Sequence, residues 1–392
     1  MQHRLPITAF TVTSALGPGC AAHLDAIEHT RAGLRREDFE GAALDTWLGR
    51  VADLEHTPLP PRFERYDCRN NRLALIALAQ DGFEDAVRRA AHRYGAQRIA
   101  VILGTSTSGI RETELAYQQR NGGALPATAG SYRHRHNLFS LPEFVRDYLG
   151  LRGPAQTIST ACSSSAKAFA SGLRSISAGL CDAVVVGGVD TLCFTTLFGF
   201  NSLELLAPSP CRPWAADRDG ISVGEAGGFA LLERDGEGAI VFEGYGESSD
   251  AYHMSAPHPQ GAGAALAMQQ ALAMAGCTPA DVDYINLHGT GTLANDRSED
   301  FAVCRVFGPG VPCSATKGLT GHALGAAGIL EAAICLLALQ HGLLPGTANT
   351  PARDPDLGAN LLLEPRRRAL ARAVTNSFGF GGSNCSLVFA RP

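Results

Sequence analysis

The sequence predicts an α/β fold made of two similar halves, with more layers than a single sheet covered on both faces. Three observations predict it: short apolar runs alternate with Ala- and Leu-rich segments at helical spacing, two of those helical segments are small or apolar on almost every side, and the two halves of the chain echo each other.

The runs that suit buried strands are Ile99–Leu103, Ala183–Val189, Phe229–Glu233, Tyr284–Leu287 and Ser386–Phe389. The amino-terminal MQHRLPITAFTVTSALGPG, with its apolar run broken by Pro6 and followed by Gly17 and Pro18, reads as a first strand and turn and not as a signal peptide. Helices are predicted over Leu73–Arg93, Ser163–Ala178, Ala262–Ala275 and Ala323–Gln340. Strands alternating with helices imply mixed or parallel sheets covered on both faces. The helices at 163–178 and 323–340 have almost no polar stripe, so each should lie buried between two sheets.

The echo consists of two pairs of segments. A strand ends in Gly104-Thr105 in one half and in His288-Gly289-Thr290 in the other, and Ser159-Thr160-Ala161-Cys162 is answered by Ser314-Ala315-Thr316-Lys317, each opening a small-residue helix. A duplication would divide the chain near Arg234–Gly238, giving halves of residues 1–235 and 236–392.

Of the 392 residues, 45% are hydrophobic and 18% charged, which suits a large buried core. The formal charge of −5 offers no general attraction to nucleic acid or anionic membranes, although local basic patches are compatible with it. No apolar stretch free of Gly, Ser or charge reaches the roughly 20 residues of a membrane span. The eleven cysteines, odd in number and without CxxC pairs, point to reduced thiols in the cytoplasm and away from a disulfide framework or zinc site.

Four segments carry chemistry. In TISTACSSSAKAFASGL a strand ends near Ser159 and Cys162 stands where a helix begins; unpaired N–H groups and the positive helix end should lower its thiol pKa. In NLHGTGTLAND, His288 leaves a strand into a glycine-rich turn that carries the hydroxyls of Thr290 and Thr292. In SATKGLTGHALGAAGILEAA, Lys317 and His322 precede an apolar helix containing Glu331; that carboxylate either faces solvent or is buried and paired with Lys317. In NSFGFGGSN, glycines around Phe380 would let backbone N–H groups approach a ligand.

Taken in order, Cys162, His288, Lys317, His322 and the GFGG loop resemble the β-ketoacyl-acyl-carrier-protein synthases of the condensing-enzyme, or thiolase-like, superfamily. The likeness runs from about Gly104 to the end and includes PCRPWAADRDGISVGEAGGFALLE. It implies a thiolase-like five-layered αβαβα sandwich of two duplicated halves, with the active site between them. It also implies decarboxylative Claisen condensation: Cys162 takes an acyl chain from the pantetheine arm of an acyl carrier protein, His288 and His322 stabilise the enolate formed from malonyl carrier, and Lys317 with Glu331 orders the site. The backbone N–H groups of Cys162 and Phe380 would receive the oxyanion, and Thr290 and Thr292 would bind pantetheine. No metal or redox cofactor is implied.

Three further expectations follow from the likeness. Thr107, in GTSTSGI, stands where relatives often carry a bulky acyl-pocket residue, so a pocket open to long, rigid or unsaturated chains is expected. Arg62, Arg65, Arg69 and Arg72 fall where relatives dock the acidic carrier, with a solvated charged face as the plain alternative. Dimers are expected, either of this chain or with a related synthase or chain-length partner. Competing readings are a thiolase using Cys385 as second cysteine, an initiating synthase with Asn in place of His322, and a non-catalytic chain-length partner.

Overall fold

The computed structural model describes residues 4–392 other than 37–38, 121–122, 124–125 and 127–131. The strand β1 (Leu5–Ser14) turns back at Gly17–Pro18. It is followed by β2 (Ile99–Gly104), β3 (Ala155–Ile158), β4 (Ala183–Asp190) and β5 (Ala226–Glu233), paired in the order β3-β2-β4-β5-β1. Strands β3, β2 and β4 run parallel, whereas β4/β5 and β5/β1 are antiparallel.

The rest of the chain repeats this plan. Strands β6 (Ile240–Ser249), β7 (Tyr284–Leu287), β8 (Pro312–Ala315), β9 (Asn360–Leu361), β10 (Arg372–Gly379) and β11 (Ser383–Ala390) pair in the order β9-β8-β7-β10-β11-β6. Leaving aside the short edge strand β9, order and sense match the first five strands one for one. The matching places the sequence echoes at equivalent points: Thr105 and His288 follow β2 and β7, while Cys162 and Lys317 follow β3 and β8. The two sheets join where Leu5–Ile7 of β1 pairs with Ile240–Phe242 of β6.

Helices make the remaining layers. On the outer face of the first sheet lie α1 (Arg69–Leu78), α2 (Phe83–Tyr94) and α3 (Ser140–Tyr148), packed on Val101, Leu103, Val185 and Leu231. Between the sheets lie α4 (Ser164–Ser177) and, later in the chain, α7 (Ala327–His341), which meet Ala100, Ile102, Val184 and Val186 on one side and Ala373 and Leu387 on the other. Outside the second sheet are α5 (Ala262–Ala275) and α6 (Leu293–Phe307), against Ile285, Leu287 and Val374. Alternate residues of β2 and β4 therefore enter different cores, which is why those strands read as unbroken apolar runs. The result is a five-layered αβαβα sandwich.

The central pair explains the two apolar helices. In α7 every residue from Ala327 to Leu339 is buried, and each fully buried Leu or Ile there contributes roughly 1.5–3 kcal/mol. A Cβ on Gly328 would come 2.4 Å from the Ala166 backbone N, so the two helices cross with their backbones in contact. Leu324–His341 is the one stretch among the described residues long and apolar enough to cross a membrane, and burial between two sheets accounts for its composition.

Two boundaries differ from expectation. The helix predicted over 73–93 is two helices, because Asp81 and Gly82 take left-handed φ values of 55° and 67°; its period continued through a break that only the backbone reveals. The last helix begins at Ala327, after a 3-10 turn at Leu324–Ala326.

Candidate active site

Cys162 lies in a tight elbow between β3 and α4. Ala161 is held at φ 52°, a strained conformation for a residue with a Cβ, at roughly 1–2 kcal/mol. The Ser164 hydroxyl secures the bend, accepting from Thr160 N at 2.9 Å and donating to Ala161 O at 2.6 Å. The bend turns the sulfur into a cavity of about 430 Å³, lined also by His288, His322, Thr290, Thr292, Phe378, Phe380 and Asn384.

Two imidazoles share that cavity. His322 Nε2 is 3.1 Å from Cys162 Sγ, and the His288 and His322 rings stand nearly perpendicular with centroids 5.3 Å apart. Their tautomers follow from what faces Nδ1. Leu324 N–H donates to His322 Nδ1 at 3.3 Å, and the Lys317 ammonium donates to His288 Nδ1 at 3.3 Å. Each Nδ1 is thus an acceptor, and each ring keeps its proton on Nε2, toward the cavity. Burial, reinforced by the Lys317 charge and for His288 also by His322, holds both pKa values well below the usual imidazole range. Both rings are therefore neutral N–H donors at neutral pH.

Lys317 opens a short helix after β8 and is 1% exposed. Its ammonium contacts the Glu331 carboxylate and the His288 carbonyl oxygen. Burial raises Glu331 to about 7 against the pull of Lys317. Glu331 is thus the buried partner of Lys317 and does not face solvent. A second buried acid, Glu299 of α6, accepts from His288 N at 2.7 Å and Gly289 N at 2.8 Å, fixing the strand exit that carries His288.

The GFGG segment closes the site from β10. The Phe380 N–H bonds toward Cys162 Sγ, and the Phe378 ring packs 5.8 Å from that of His288. Gly379 is required by space: a Cβ there would lie 2.7 Å from Thr160 O and 3.3 Å from Cys162 N.

The expected lowering of the Cys162 pKa is reversed. Burial pushes the thiol up to about 11, outweighing Lys317 and the Phe380 N–H, which pull it down, while Asp190 and Glu331 push it further up. The helix begins two residues after the cysteine, at Ser164, and the sulfur is almost enclosed by protein. Sequence reasoning saw the helix end and not the loss of water.

Cys162, His288 and His322 bring ligand atoms within 4.8 Å of one another, as a metal ion would need. Their surroundings are wrong for one: a ligating Nε2 needs its ring's Nδ1–H to donate to an acceptor, yet both Nδ1 atoms face donors. The residues do not fit a metal.

The remaining candidates divide. Thr290 and Thr292 line the cavity, with hydroxyls 2.9 Å apart. Thr107 is fully buried and lies outside the lining; its hydroxyl donates to Asp190 at 2.9 Å. Of the four arginines, Arg62 and Arg65 are exposed, Arg65 pairing with Asp147 at 3.0 Å. Arg69 and Arg72 correct the docking expectation. Arg69 is buried against Glu225 at 2.6 Å, so its charge serves the fold, and half-buried Arg72 is paired with Asp67 at 2.7 Å. Cys385 is fully buried in the central core, its thiol raised by burial, and does not line the cavity.

Sequence reasoning missed Glu299, Asp190 and Phe378. Glu299 had a legible signal only in its spacing, since Asp296 and Glu299 sit three apart on one helical face just after NLHGTGT; that both are buried is seen in the structure alone. Asp190 had none: an Asp ending a strand is ordinary until its partners are known.

Comparison with known proteins agrees with this geometry. Residues 35–237 match the model of the "Beta-ketoacyl synthase, N-terminal domain", and residues 239–351 that of the "Beta-ketoacyl synthase, C-terminal domain". The chain is 33% identical over 402 residues to nodulation protein E of Rhizobium meliloti, covering 96% of this chain and 98% of that protein. It is 39% identical over 429 residues to the 3-oxoacyl-[acyl-carrier-protein] synthase 2 of Vibrio harveyi, covering 100% and 99%. Among solved structures it resembles a chain of the Xenorhabdus doucetiae complex between the ketosynthase ApeO and its chain length factor ApeC. There the TM-score is 0.90 and the identity 42%, covering 99% of this chain and 98% of that one.

Proposed function

The chain belongs to the β-ketoacyl synthase family, and from that premise we propose that it joins an acyl group to a malonyl-derived unit by decarboxylative Claisen condensation on acyl carrier protein, in fatty-acid or polyketide synthesis. The observation that carries the reading is the meeting of one enclosed sulfur with two neutral imidazole N–H donors in one cavity.

The first half-reaction is transfer to Cys162. The sulfur attacks the acyl thioester carbonyl, its negative charge supported by the His322 Nε2–H, the Phe380 N–H and the nearby Lys317 ammonium. The tetrahedral oxyanion is received by the backbone N–H groups of Cys162 and Phe380. The carbonyl re-forms as the carrier thiolate leaves and takes up the proton that Cys162 has lost, which completes a ping-pong exchange.

Malonyl carrier then places its thioester carbonyl between the two imidazoles. The C–C bond to the carboxylate breaks, carbon dioxide leaves, and the electron pair enters the enolate, whose oxygen accepts from Nε2–H of His288 and His322. Neutral donors suit this step, because a protonated ring would surrender its proton to the enolate and quench the nucleophile. The enolate carbon attacks the acyl carbonyl on Cys162, and the sulfur departs as a thiolate that takes a proton from solvent, the one proton the condensation consumes. Lys317 and Glu331 hold the His288 side of the site, while Thr290 and Thr292 offer hydroxyls along the path of the pantetheine arm.

Substrates therefore arrive on the phosphopantetheine of acyl carrier protein, and no separate cofactor is invoked. Exposed Arg62 and Arg65 are the docking candidates that survive. The 42% likeness to a chain of a ketosynthase and chain length factor complex supports pairing with a related subunit, a homodimer being the alternative. The intact Cys162 elbow argues against a non-catalytic partner. Burial of Cys385 away from the cavity argues against a thiolase, and His322 in place of Asn against an initiating synthase.

The test is to give the purified protein acyl carrier and malonyl carrier and weigh the products. A β-ketoacyl carrier two carbons longer is expected, and Cys162→Ala should abolish it. No elongation with any acyl carrier, alone or with a chain-length partner, refutes the reading.

A further inference from the structure

Asp190 ends β4 with no exposure to solvent, and among the described residues no cationic side chain pairs with it. A buried carboxylate in that position must be held by donors. They come from two distant segments. The loop after β2 supplies Thr105 Oγ1 at 2.6 Å, Ser106 N at 2.8 Å and 3.0 Å to the two oxygens, the Ser106 hydroxyl, Thr107 N at 2.9 Å and Thr107 Oγ1 at 2.9 Å. The turn after His322 supplies Gly325 N at 2.6 Å. Both oxygens are occupied, and a Cβ on Gly325 would stand 2.7 Å from Asp190 Oδ2, so the carboxylate lies hard against that turn.

The turn matters because of its neighbour. Leu324, one residue before Gly325, sits at φ 52°, a strained value for a leucine. Its N–H is the group that donates to His322 Nδ1 and so leaves the proton on Nε2. Ala326 N also donates to Ala323 O at 3.0 Å across this turn, and the Leu324 side chain packs with Leu48, Leu197 and Val223, so the Gly325 N bond to Asp190 is one restraint among these and the one made by a carboxylate.

We propose that Asp190 is the positioning residue for His322: by binding Gly325 N it holds the strained Leu324 turn, keeps His322 Nε2 a donor toward the malonyl thioester, and ties that imidazole rigidly to the Thr105–Ser108 loop. The inference rests on the reading of His322 as an enolate-stabilising group. It also gives Thr107 a second role, since its hydroxyl donates to Asp190 and accepts from Thr191 N at 3.2 Å.

The experiment is Asp190→Asn in the full-length protein, with its partner if one is needed for activity. The amide has a similar shape but one acceptor oxygen, and its NH2 would face donors. Two rates are read: carbon dioxide release from malonyl carrier, and alkylation of Cys162 by iodoacetamide at about pH 8. Decarboxylation is expected to fall about tenfold to hundredfold, the scale set by one orphaned buried donor and a displaced ring. Alkylation is expected to become faster, because of the charged groups that face the thiol, Asp190 and Glu331 raise its pKa and Lys317 lowers it, while His288 and His322 are neutral. A general loss of packing would also expose the enclosed thiol and speed its alkylation, so the melting temperature is read beside the two rates and is expected to stay near that of the wild type.

Decarboxylation within about twofold of wild type, or both rates falling together, overturns the proposal. If Asp190→Asn does not fold, Thr107→Val removes one donor to Asp190 together with the acceptor of Thr191 N; a decarboxylation loss of about threefold supports the proposal, and an unchanged rate overturns it. A wild-type protein that neither decarboxylates nor condenses overturns the functional reading itself, and the role of Asp190 with it.

Discussion

Gly379→Ala measures how much of the chemistry depends on the contact between the GFGG segment and the cysteine elbow. The backbone at Gly379 has φ −97°, which alanine accepts, so the effect is steric alone. The new Cβ would lie 2.7 Å from Thr160 O, about 0.7 Å short of ordinary contact at 3.4 Å. That oxygen cannot yield easily, because it accepts from Ser163 Oγ at 2.9 Å and Ser163 N at 3.3 Å at the start of α4. The segment must move instead, carrying the Phe380 N–H away from the sulfur. Loss of one oxyanion donor costs roughly 2.7–4 kcal/mol, or about 10²–10³ in rate. Single-turnover acylation of Cys162 and steady-state condensation should both fall by that factor. Carbon dioxide release from malonyl carrier should hold within about threefold, because the enolate is held by the imidazoles and not by Phe380. Acylation within about threefold of wild type, with an unchanged melting temperature, refutes the argument that this backbone contact builds the oxyanion site.

Both imidazoles stay neutral well below 6.5, so any change in decarboxylation rate between about pH 6 and about pH 7.5 should come from Glu331 or Glu299, at about 7, and vanish in their Gln variants; a midpoint near the ordinary histidine value that persists in those variants refutes neutral donors. Stability should follow the two raised carboxyls: Glu299 and Glu331, at about 7 when folded against 4.5, contribute stability that is full below about pH 4.5 and lost as pH rises toward about 7, so their Gln variants should flatten that part of a melting-temperature profile. Arg69→Ala should destabilise the fold by about 3–5 kcal/mol in denaturant melts, because Glu225 would be left buried and unpaired. By contrast, Arg62→Glu with Arg65→Glu should leave melting nearly unchanged and raise KM for carrier in a salt-dependent way, and an unchanged KM removes both from the docking surface.

Legibility followed periodicity. Helix Ala262–Ala275 and strand Tyr284–Leu287 were readable to the residue, because burial against a sheet imposes regular spacing on every turn. The break at Asp81 and Gly82 was not, since two helices joined by a tight turn keep an apolar rhythm across it. In the site, Cys162, His288 and Lys317 were visible because each follows a strand end, and His322 because it stands between a short helix and an apolar one, all beside small residues. Arg69 was misread because a charged side chain carries no mark of whether it meets solvent or a buried glutamate.

By itself the sequence pointed to the family and its reaction, to the residues proposed as nucleophile and imidazole donors, and to a chain of two similar halves with helices apolar enough to lie between sheets. Those properties are local, set by residue type and short-range spacing. Only the tertiary structure decided the direction of the thiol shift, the tautomers of the two rings and the strapping of Asp190 across two segments. The reason is that desolvation and hydrogen-bond direction depend on groups that meet from opposite halves of the chain, and no window of sequence contains both partners.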